Sequence, residues 1–188
     1  MTVCVYCSSS SAVAAPFGEV AERFGTLLGR RGHTLVYGGA SVGSMGRLAR
    51  ATKAAGGRVV GVIPEAMVGV EVANPDCDEL VVTDTLRARK AGMDERADAF
   101  VALPGGFGTL EELFEVLTAK QLGYHRRPIV IIDQDDFWLP LVTWASALIE
   151  ARFAKPSFWD LFTLTADVDV ALDLCEEGEG PAPEAKWF

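Results

Sequence analysis

The residues best suited to chemistry lie in one stretch, Pro104-Gly105-Gly106-Phe107-Gly108-Thr109-Leu110-Glu111-Glu112. An apolar run over 98–103 precedes it and apolar residues at helical spacing follow it. This pattern predicts a strand, a glycine turn and a helix N-terminus. Glycines let the backbone approach a ligand closely, and the N–H groups at a helix start favour an anion, most naturally a phosphate. The stretch therefore predicts a nucleotide site with carboxylates beside the bound phosphate.

Two familiar phosphate motifs do not fit this turn. It lacks the G-K-[ST] ending of a P-loop and the G-x-G-x-x-G spacing of a dinucleotide fingerprint. The chain also offers no convincing set of carboxylates for Mg²⁺, which disfavours phosphoryl transfer. The simplest alternative is a glycine-rich turn with no ligand.

The two glutamates that close the stretch have a structural explanation and a chemical one. Acidic residues are favoured in the first turn of any helix. Glu112, however, falls nearly opposite the apolar stripe Leu110-Leu113-Phe114-Leu117, so we expect it outside the core face of that helix. Near a helix N-terminus its ionised form is favoured, which suits a carboxylate that stabilises positive charge or activates water.

Two further groups of residues have open interpretations. The basic residues Arg87, Arg89 and Lys90 form either a solvated helix face or a site in which one arginine reaches a phosphate or pairs with a carboxylate such as Glu112. The glycine cluster 38–46, which begins with Gly38 and Gly39, either wraps a ribose or phosphate or forms a tight turn. Its position after a strand favours ligand binding.

Strands alternate with helices along the chain, which predicts an α/β fold. Several strands are solidly apolar, as expected when helices cover both faces of a sheet. We expect a Rossmann-like, doubly wound and mostly parallel sheet forming one domain over 1–175, followed by an acidic, proline-containing tail over 176–188. The loops 8–11, 38–46 and 104–109 each follow a strand, so they meet at the carboxyl edge where such sheets bind ligands.

Composition restricts the partners. The 188-residue chain carries a net charge of −9, which works against a nucleic-acid partner. The sequence contains no apolar run of about 18 residues and no basic segment typical of a signal peptide, so we expect a cytoplasmic protein that does not span a membrane. Cys4 and Cys7 form a C-x-x-C within a predicted strand, where their side chains point to opposite faces and serve as small hydrophobes. His33 and His125 are far apart, and we expect no metal site.

Aromatic residues concentrate between 137 and 162. They either pack in the core or form a subunit interface, and core packing is the favoured interpretation.

The motifs quoted so far resemble those of the Lonely guy (LOG) family of cytokinin riboside 5′-monophosphate phosphoribohydrolases. The family signature P-G-G-x-G-T-x-x-E is matched in full by residues 104–112. The upstream M-H-x-R-K element reads Leu86-Arg87-Ala88-Arg89-Lys90 here and keeps only R-K. The cluster 37–46 resembles Y-G-G-G-x-x-G-L-M-G with two changes, and 7–10 resembles the first-strand loop. The similarity runs from the first strand through at least Pro128.

The resemblance implies residue roles. Arg89 and Glu112 match the catalytic pair. Positions that match substrate contacts are Glu71, Lys90, Gly106, Phe107, Gly108, Thr109, Leu110, Glu111 and Thr118. The ligand-facing loops add Gly105, Gly38, Gly39 and Ser9 as candidates.

The resemblance also implies a reaction. It is hydrolysis of the N-glycosidic bond of AMP or N6-prenylated AMP, which releases the free base and ribose 5-phosphate without a metal or organic cofactor. The resemblance further implies a homodimer with the site near the subunit interface. Some relatives have been called lysine decarboxylases, but nothing in this sequence resembles a pyridoxal-phosphate site. Two alternatives remain, a non-catalytic nucleotide carrier and a DNA-binding protein on the same fold, and the negative charge weakens the second.

Overall fold

The structure is a computed structural model that describes residues 1–69 and 73–180. Within these residues the strands are β1 (Thr2–Tyr6), β2 (Thr34–Tyr37), β3 (Arg58–Pro64), β4 (Glu79–Thr83), β5 (Ala99–Ala102), β6 (Ile129–Ile132) and β7 (Thr163–Thr165). The α-helices are α1 (Ala15–Arg30), α2 (Gly43–Ala54), α3 (Leu86–Asp94), α4 (Phe107–Gln121), α5 (Leu139–Glu150) and α6 (Val168–Glu176). Two 3₁₀ helices span Glu65–Met67 and Pro156–Leu161.

Local sequence explains several element boundaries. Thr85 caps α3 by accepting a hydrogen bond from the Ala88 N–H, and Asp167 caps α6 in the same manner. The sequence predicts a helix over 136–153, and α5 is shorter because Asp135, Asp136 and Arg152 adopt positive φ angles that a helix does not accommodate.

The seven strands form one sheet in the order β4-β3-β2-β1-β5-β6-β7, and each adjacent pair is parallel. This confirms the predicted doubly wound α/β fold. Strand β1 lies at the centre, where Cys4 pairs with Val36 of β2 on one side and with Phe100 of β5 on the other. The strand order reverses between β1 and β5, so the carboxyl ends of these two strands form the topological switch point.

Helices cover both faces of the sheet. One core contains the inward faces of α1, α2 and α6, with Phe24, Leu48 and Leu172 fully buried. The other contains those of α3 and α4, with Met93 and Leu113 at its centre. The two cores share β1, whose alternating side chains enter opposite faces of the sheet.

The two cysteines at the start of the chain follow this alternation. Cys4 lies in the core beneath α3 and α4, whereas Cys7, just beyond the end of β1, lies in the core beneath α1 and α2. Both are buried free thiols, so the prediction that they point to opposite faces is confirmed.

The aromatic residues between 137 and 162 divide into two groups. Trp138 is buried and donates from its indole N–H to the Ile132 carbonyl, and Phe137, Phe158 and Phe162 pack partly against the same core. Core packing therefore explains most of the cluster. Trp144 is 51% exposed despite its edge contact with Phe114, and Phe153 is 82% exposed, so packing within the chain covers these two side chains only in part.

The C-terminal helix packs against the first helix. Arg31 pairs with Asp173 at 2.5 Å, and His33 contacts Glu176 at 2.7 Å. The domain boundary at 175/176 stays a prediction, and 181–188 lie outside the described residues. Among the described helices, none is both long and apolar enough to cross a bilayer.

Candidate active site

The carboxyl ends of β1 and β5 border a cleft of about 410 Å³, called the main cleft below. The two strands are joined there by a hydrogen bond from the Leu103 N–H to the Tyr6 carbonyl at 2.9 Å. The side chains and backbone that line the cleft are Cys7, Ser8, Ser9, Ser10, Met45, Met67, Leu86, Arg89, Lys90, Gly106, Gly108, Thr109, Glu111 and Glu112. All three predicted ligand-facing loops therefore meet at one cleft, the loops following β1 and β5 with several residues each and the loop 38–46 with Met45.

The turn between β5 and α4 presents backbone to the main cleft. Gly106 is the N-cap of α4 and supplies no side-chain acceptor to the first N–H groups. A Cβ on Gly106 or Gly108 would meet no atom within 4 Å, so both positions leave open space above the helix start. Gly105 is constrained instead, since its Cβ would lie 2.1 Å from the Thr109 hydroxyl oxygen. This is the geometry expected of an anion site at a helix N-terminus.

Arg89 and Glu112 form a buried ion pair at the base of the main cleft. Arg89 Nη2 on α3 lies 3.3 Å from Glu112 Oε1 on α4, and each residue is only 6% exposed. The Arg89 Nε is buried and has no hydrogen-bond partner among the described residues. Of the interpretations open from sequence, the structure selects the pairing of Arg89 with Glu112.

Lys90 pairs with carboxylates one and two turns along α4, those of Glu111 and Glu115. Burial alone would lower the pKa of the Lys90 ammonium, but these two carboxylates outweigh burial and the pKa is raised. Lys90 therefore remains a cation at the wall of the cleft. Arg87, by contrast, is exposed and lies outside the residues that line the cleft, so the basic run is only partly a solvated face.

Helix α4 buries a different face from the one that its apolar spacing predicts. Leu113 and Leu117 are buried as expected, but Leu110 and Phe114 are only partly buried. The buried side also includes polar residues, namely Thr109, Glu112 and Lys120. Glu112 is thus inside the protein rather than off the core face, because Arg89 from α3 supplies a charged partner there.

Several predicted substrate contacts lie away from the main cleft. Gly38 and Gly39 are buried beneath it, where Gly39 adopts φ +79° and packs on Ile63 of β3. Phe107 is 90% exposed, and Thr118 is also exposed, further along α4. Leu110 is partly buried and does not contribute to the lining. Glu71 lies outside the described residues.

Four lining residues were not predicted from sequence. Met45, Met67 and Leu86 give the lining of the cleft an apolar component. Met45 and Leu86 lie within the recognised motifs and Met67 lies outside them, but apolar residues at such positions are usually taken for core. Cys7 also reaches the cleft, and burial raises the pKa of its thiol, so the thiol stays neutral.

A smaller cavity of about 190 Å³ lies between α3 and α4. Lys90, Glu112 and Glu115 contribute to its lining, together with Tyr6 and Asp94. Because Lys90 and Glu112 also line the main cleft, they separate the two spaces.

Comparison with known proteins gives consistent relatives. Residues 45–175 match the sequence model of a family described as "possible lysine decarboxylase". A cytokinin riboside 5′-monophosphate phosphoribohydrolase of Mycobacterium tuberculosis is 42% identical over 174 residues, covering 93% of this chain and 92% of its own. An Arabidopsis thaliana protein with the same description is 36% identical, covering 93% of this chain and 82% of its own.

Solved structures with the same fold have diverse functions. The molybdenum cofactor carrier protein of Chlamydomonas reinhardtii matches with a TM-score of 0.68 at 21% identity, covering 94% of this chain and 96% of its own. DNA processing protein A of Helicobacter pylori, described as binding single-stranded DNA, matches with a TM-score of 0.58 at 11% identity, covering 95% and 82% of the two chains. At such identities the likeness concerns the fold alone, and one fold hosts many functions.

The family is therefore decided by sequence identity over nearly the whole chain, together with the full P-G-G-x-G-T-x-x-E signature at the cleft. The chain belongs to the Lonely guy family of cytokinin riboside 5′-monophosphate phosphoribohydrolases.

Proposed function

We propose that this protein hydrolyses the N-glycosidic bond of a purine nucleoside 5′-monophosphate, either AMP or an N6-prenylated AMP. The products are the free base and ribose 5-phosphate. The observation that carries the proposal is the buried Arg89–Glu112 pair, which opens onto the same cleft as the glycine turn at the start of α4.

The glycine turn anchors the substrate through its 5′-phosphate. The N–H groups at the start of α4 and the positive end of the helix dipole bind the phosphate oxygens, and Gly106 and Gly108 leave room for them. Lys90 is a cation at the wall of the cleft, where its ammonium group also binds Glu111 and Glu115. Holding the phosphate fixes the ribose near Glu112, which reduces the entropy lost in reaching the transition state.

Glu112 acts on the ribose. As the C1′–N bond breaks, positive charge develops on the ribose ring, and a carboxylate beside it stabilises that charge. The same carboxylate orients the water whose oxygen bonds to C1′ and accepts its proton. The electron pair of the broken bond leaves with the base, which takes up a proton. Arg89 holds the Glu112 carboxylate in place and balances its charge.

The apolar side of the main cleft suits the base. Met45, Met67 and Leu86 line the cleft with apolar side chains, which offer a surface for a flat purine and for an apolar N6 substituent. This arrangement is compatible with adenine and with prenylated adenine.

Lysine decarboxylation, the activity in the description of the matching family model, is disfavoured by the state of Lys90. A lysine that forms a Schiff base needs a lowered pKa to supply a neutral amine. Lys90, the lysine that lines the main cleft, has a raised pKa because Glu111 and Glu115 bind its ammonium group.

A comparison of substrates tests the proposal. The protein is incubated with AMP and with isopentenyl-AMP, and the products are separated by chromatography. We expect free base and ribose 5-phosphate in equal amounts, and the ratio of kcat/KM identifies the preferred base. Tight nucleotide binding without any product would instead identify a non-catalytic carrier. Release of inorganic phosphate from the nucleotide, or of carbon dioxide from lysine, would contradict the proposed reaction.

We further propose a homodimer whose interface includes the exposed flank of α4. The flank carries Phe107, Leu122 and the exposed Thr118, and Trp144 of α5 lies beside it, in edge contact with Phe114. Thr118 belongs to the substrate contacts implied by the family resemblance, yet it lies away from the cleft of its own chain. A second copy packed on this flank would bring Thr118 nearer to a cleft.

Light scattering coupled to size-exclusion chromatography tests the dimer. We expect twice the mass of 20.1 kDa for the natural chain, and a monomer with reduced activity for Leu122→Glu. Glu150→Gln, at an exposed polar position of α5, serves as a control that should remain dimeric. A natural chain that is monomeric at micromolar concentration would refute the dimer.

A further inference from the structure

Gly38, the first residue after β2, lies directly against the guanidinium group of Arg89. A Cβ built on Gly38 would be 2.0 Å from Arg89 Nη2 and 3.0 Å from Arg89 Cζ. Real Cβ atoms essentially never approach a heavy atom closer than 3.0 Å. The guanidinium therefore occupies the space that a side chain at position 38 would need.

The nitrogen in conflict is also the one that carries the ion pair. Arg89 Nη2 lies 3.3 Å from Glu112 Oε1. Arg89 comes from α3 and Glu112 from α4, whereas Gly38 follows β2, so three separate segments meet at one nitrogen atom. Any displacement of this nitrogen by a group at position 38 changes its distance to the Glu112 carboxylate.

Hydrogen bonding leaves part of the guanidinium unsupported. Its Nε is buried without a hydrogen-bond partner among the described residues. A guanidinium group usually satisfies several of its five N–H donors, which fixes its orientation. Here steric contact with the backbone of Gly38 takes over part of that role.

Gly38 is not required for the backbone conformation. The neighbouring Gly39 has φ +79° and Gly43 has φ +61°, both in the region that favours glycine, whereas Gly38 is not among the described positive-φ glycines. Alanine at position 38 is therefore compatible with the backbone. Its principal conflicts are with side chains, those of Arg89 and of Met45, whose terminal carbon would lie at 2.9 Å.

We propose that Gly38 is a positioning residue for the reaction: the absence of a side chain there seats the Arg89 guanidinium against Glu112. This rests on the proposed function only for its effect on rate, because the steric claim concerns the protein alone. It also reassigns Gly38 from a substrate contact to a support beneath Arg89.

A double-mutant cycle tests the proposal. Gly38→Ala is made in the natural chain and in an Arg89→Lys background, in which the bulky planar group is gone. We expect Gly38→Ala to lower kcat roughly 10²-fold in the natural chain, as for a misplacement of about 1 Å, with little change in KM. In the Arg89→Lys background the same change should lower kcat by less than about threefold, because residues in contact are not additive.

Gly92→Ala is the matched control. Gly92 lies on the same helix as Arg89, and a Cβ there would meet no atom closer than 3.6 Å. We expect its kcat to equal that of the natural chain. Equal losses from Gly38→Ala in both backgrounds, or natural activity of Gly38→Ala, would overturn the proposal.

The four proteins of the cycle are the natural chain, Gly38→Ala, Arg89→Lys and the double variant. They also separate this proposal from the proposed function. If the natural chain releases no base, the hydrolase assignment fails, and the cycle is read from the urea midpoints instead. A destabilisation by Gly38→Ala that is largely relieved in the Arg89→Lys background supports the proposed steric contact between position 38 and the Arg89 guanidinium. An equal destabilisation in both backgrounds refutes it.

Discussion

At the scale of single residues, the pair formed by Arg89 and Glu112 dominates the site. The family resemblance names both residues, Glu112 through a long and specific signature and Arg89 through the shorter R-K element. The burial of the two side chains could not be predicted, since burial of a glutamate near a helix start depends on a partner from another helix. The contact of Gly38 with Arg89 was equally inaccessible, because it joins positions that are distant in sequence and leaves no local pattern.

The buried pair predicts a specific pattern of stability. Removing one partner leaves an uncompensated buried charge, so Arg89→Met and Glu112→Leu should each lower the free energy of unfolding by about 3–5 kcal/mol. The double variant leaves no buried charge, and its stability should lie closer to that of the natural chain than the stability of either single variant. Urea unfolding monitored by circular dichroism measures all four proteins. Additive losses would show that the two side chains do not interact energetically.

At the scale of elements, periodicity predicted the strands well. The runs 34–37 and 79–83 predict two short strands, and β2 and β4 have these bounds. Short apolar or β-branched runs between glycines and polar turns have few alternatives. The buried faces of the helices were harder to predict. The face of α4 is rotated from its apolar stripe, because the face of a helix at a functional site is chosen by charged partners as well as by apolar area.

The start of α4 offers a test of the phosphate site. Gly108 is exposed and helical, and a Cβ there meets no protein atom. Alanine should raise the free energy of unfolding by roughly 0.5–1 kcal/mol, because glycine is costly within a helix. It should also weaken the binding of AMP, since the methyl group enters the space that the phosphate would occupy.

Thermal unfolding and titration with AMP measure the two effects separately. Lys155→Gln, on the segment before the second 3₁₀ helix, is a control in which nucleotide binding should be unchanged. If Gly108→Ala binds AMP as tightly as the natural chain, the phosphate does not bind at this turn.

At the scale of the whole molecule, the fold follows from the alternation of strands and helices. The topology then brings the ends of β1 and β5 together, so the prediction that loops 8–11 and 104–109 share one edge is confirmed. The third loop, 38–46, is at the same edge, but its first glycines lie beneath the cleft rather than in its wall. The sequence predicts that a loop lies at the carboxyl edge of the sheet, whereas the burial of that loop depends on which side chains from other segments cover it.

The molecule also contains a histidine, His125, that should make the folded state less stable at acidic pH. His125 Nε2 contacts the Val116 carbonyl at 3.0 Å, and Nδ1 is buried without a hydrogen-bond partner in the described part of the chain. Burial is the largest effect and lowers the pKa of His125, the Val116 carbonyl and Asp94 oppose it, and the nearby cations Arg127 and Lys120 add to the lowering. The folded state therefore binds a proton less readily than the unfolded chain.

Stability should consequently fall as the pH drops below about 6.5, the ordinary histidine value, and this contribution should level off below the lowered pKa of the folded state. The slope contributed by one proton is at most about 1.4 kcal/mol per pH unit. Urea unfolding between pH 7 and pH 5 measures it. His125→Gln should flatten this dependence, whereas His33→Gln, at the other histidine, should leave the part due to His125 in place. An unchanged slope in His125→Gln would contradict the assignment.

The central claim is that Glu112 acts chemically on a nucleotide held at the start of α4, and one measurement tests it most directly. Release of free base from AMP and isopentenyl-AMP is followed by chromatography for the natural chain and for Glu112→Gln, with nucleotide binding measured on the same samples. We predict that Glu112→Gln still binds nucleotide but releases base about 10²–10³-fold more slowly, as when one transition-state-stabilising group is removed. Base release by Glu112→Gln at the natural rate would contradict the account.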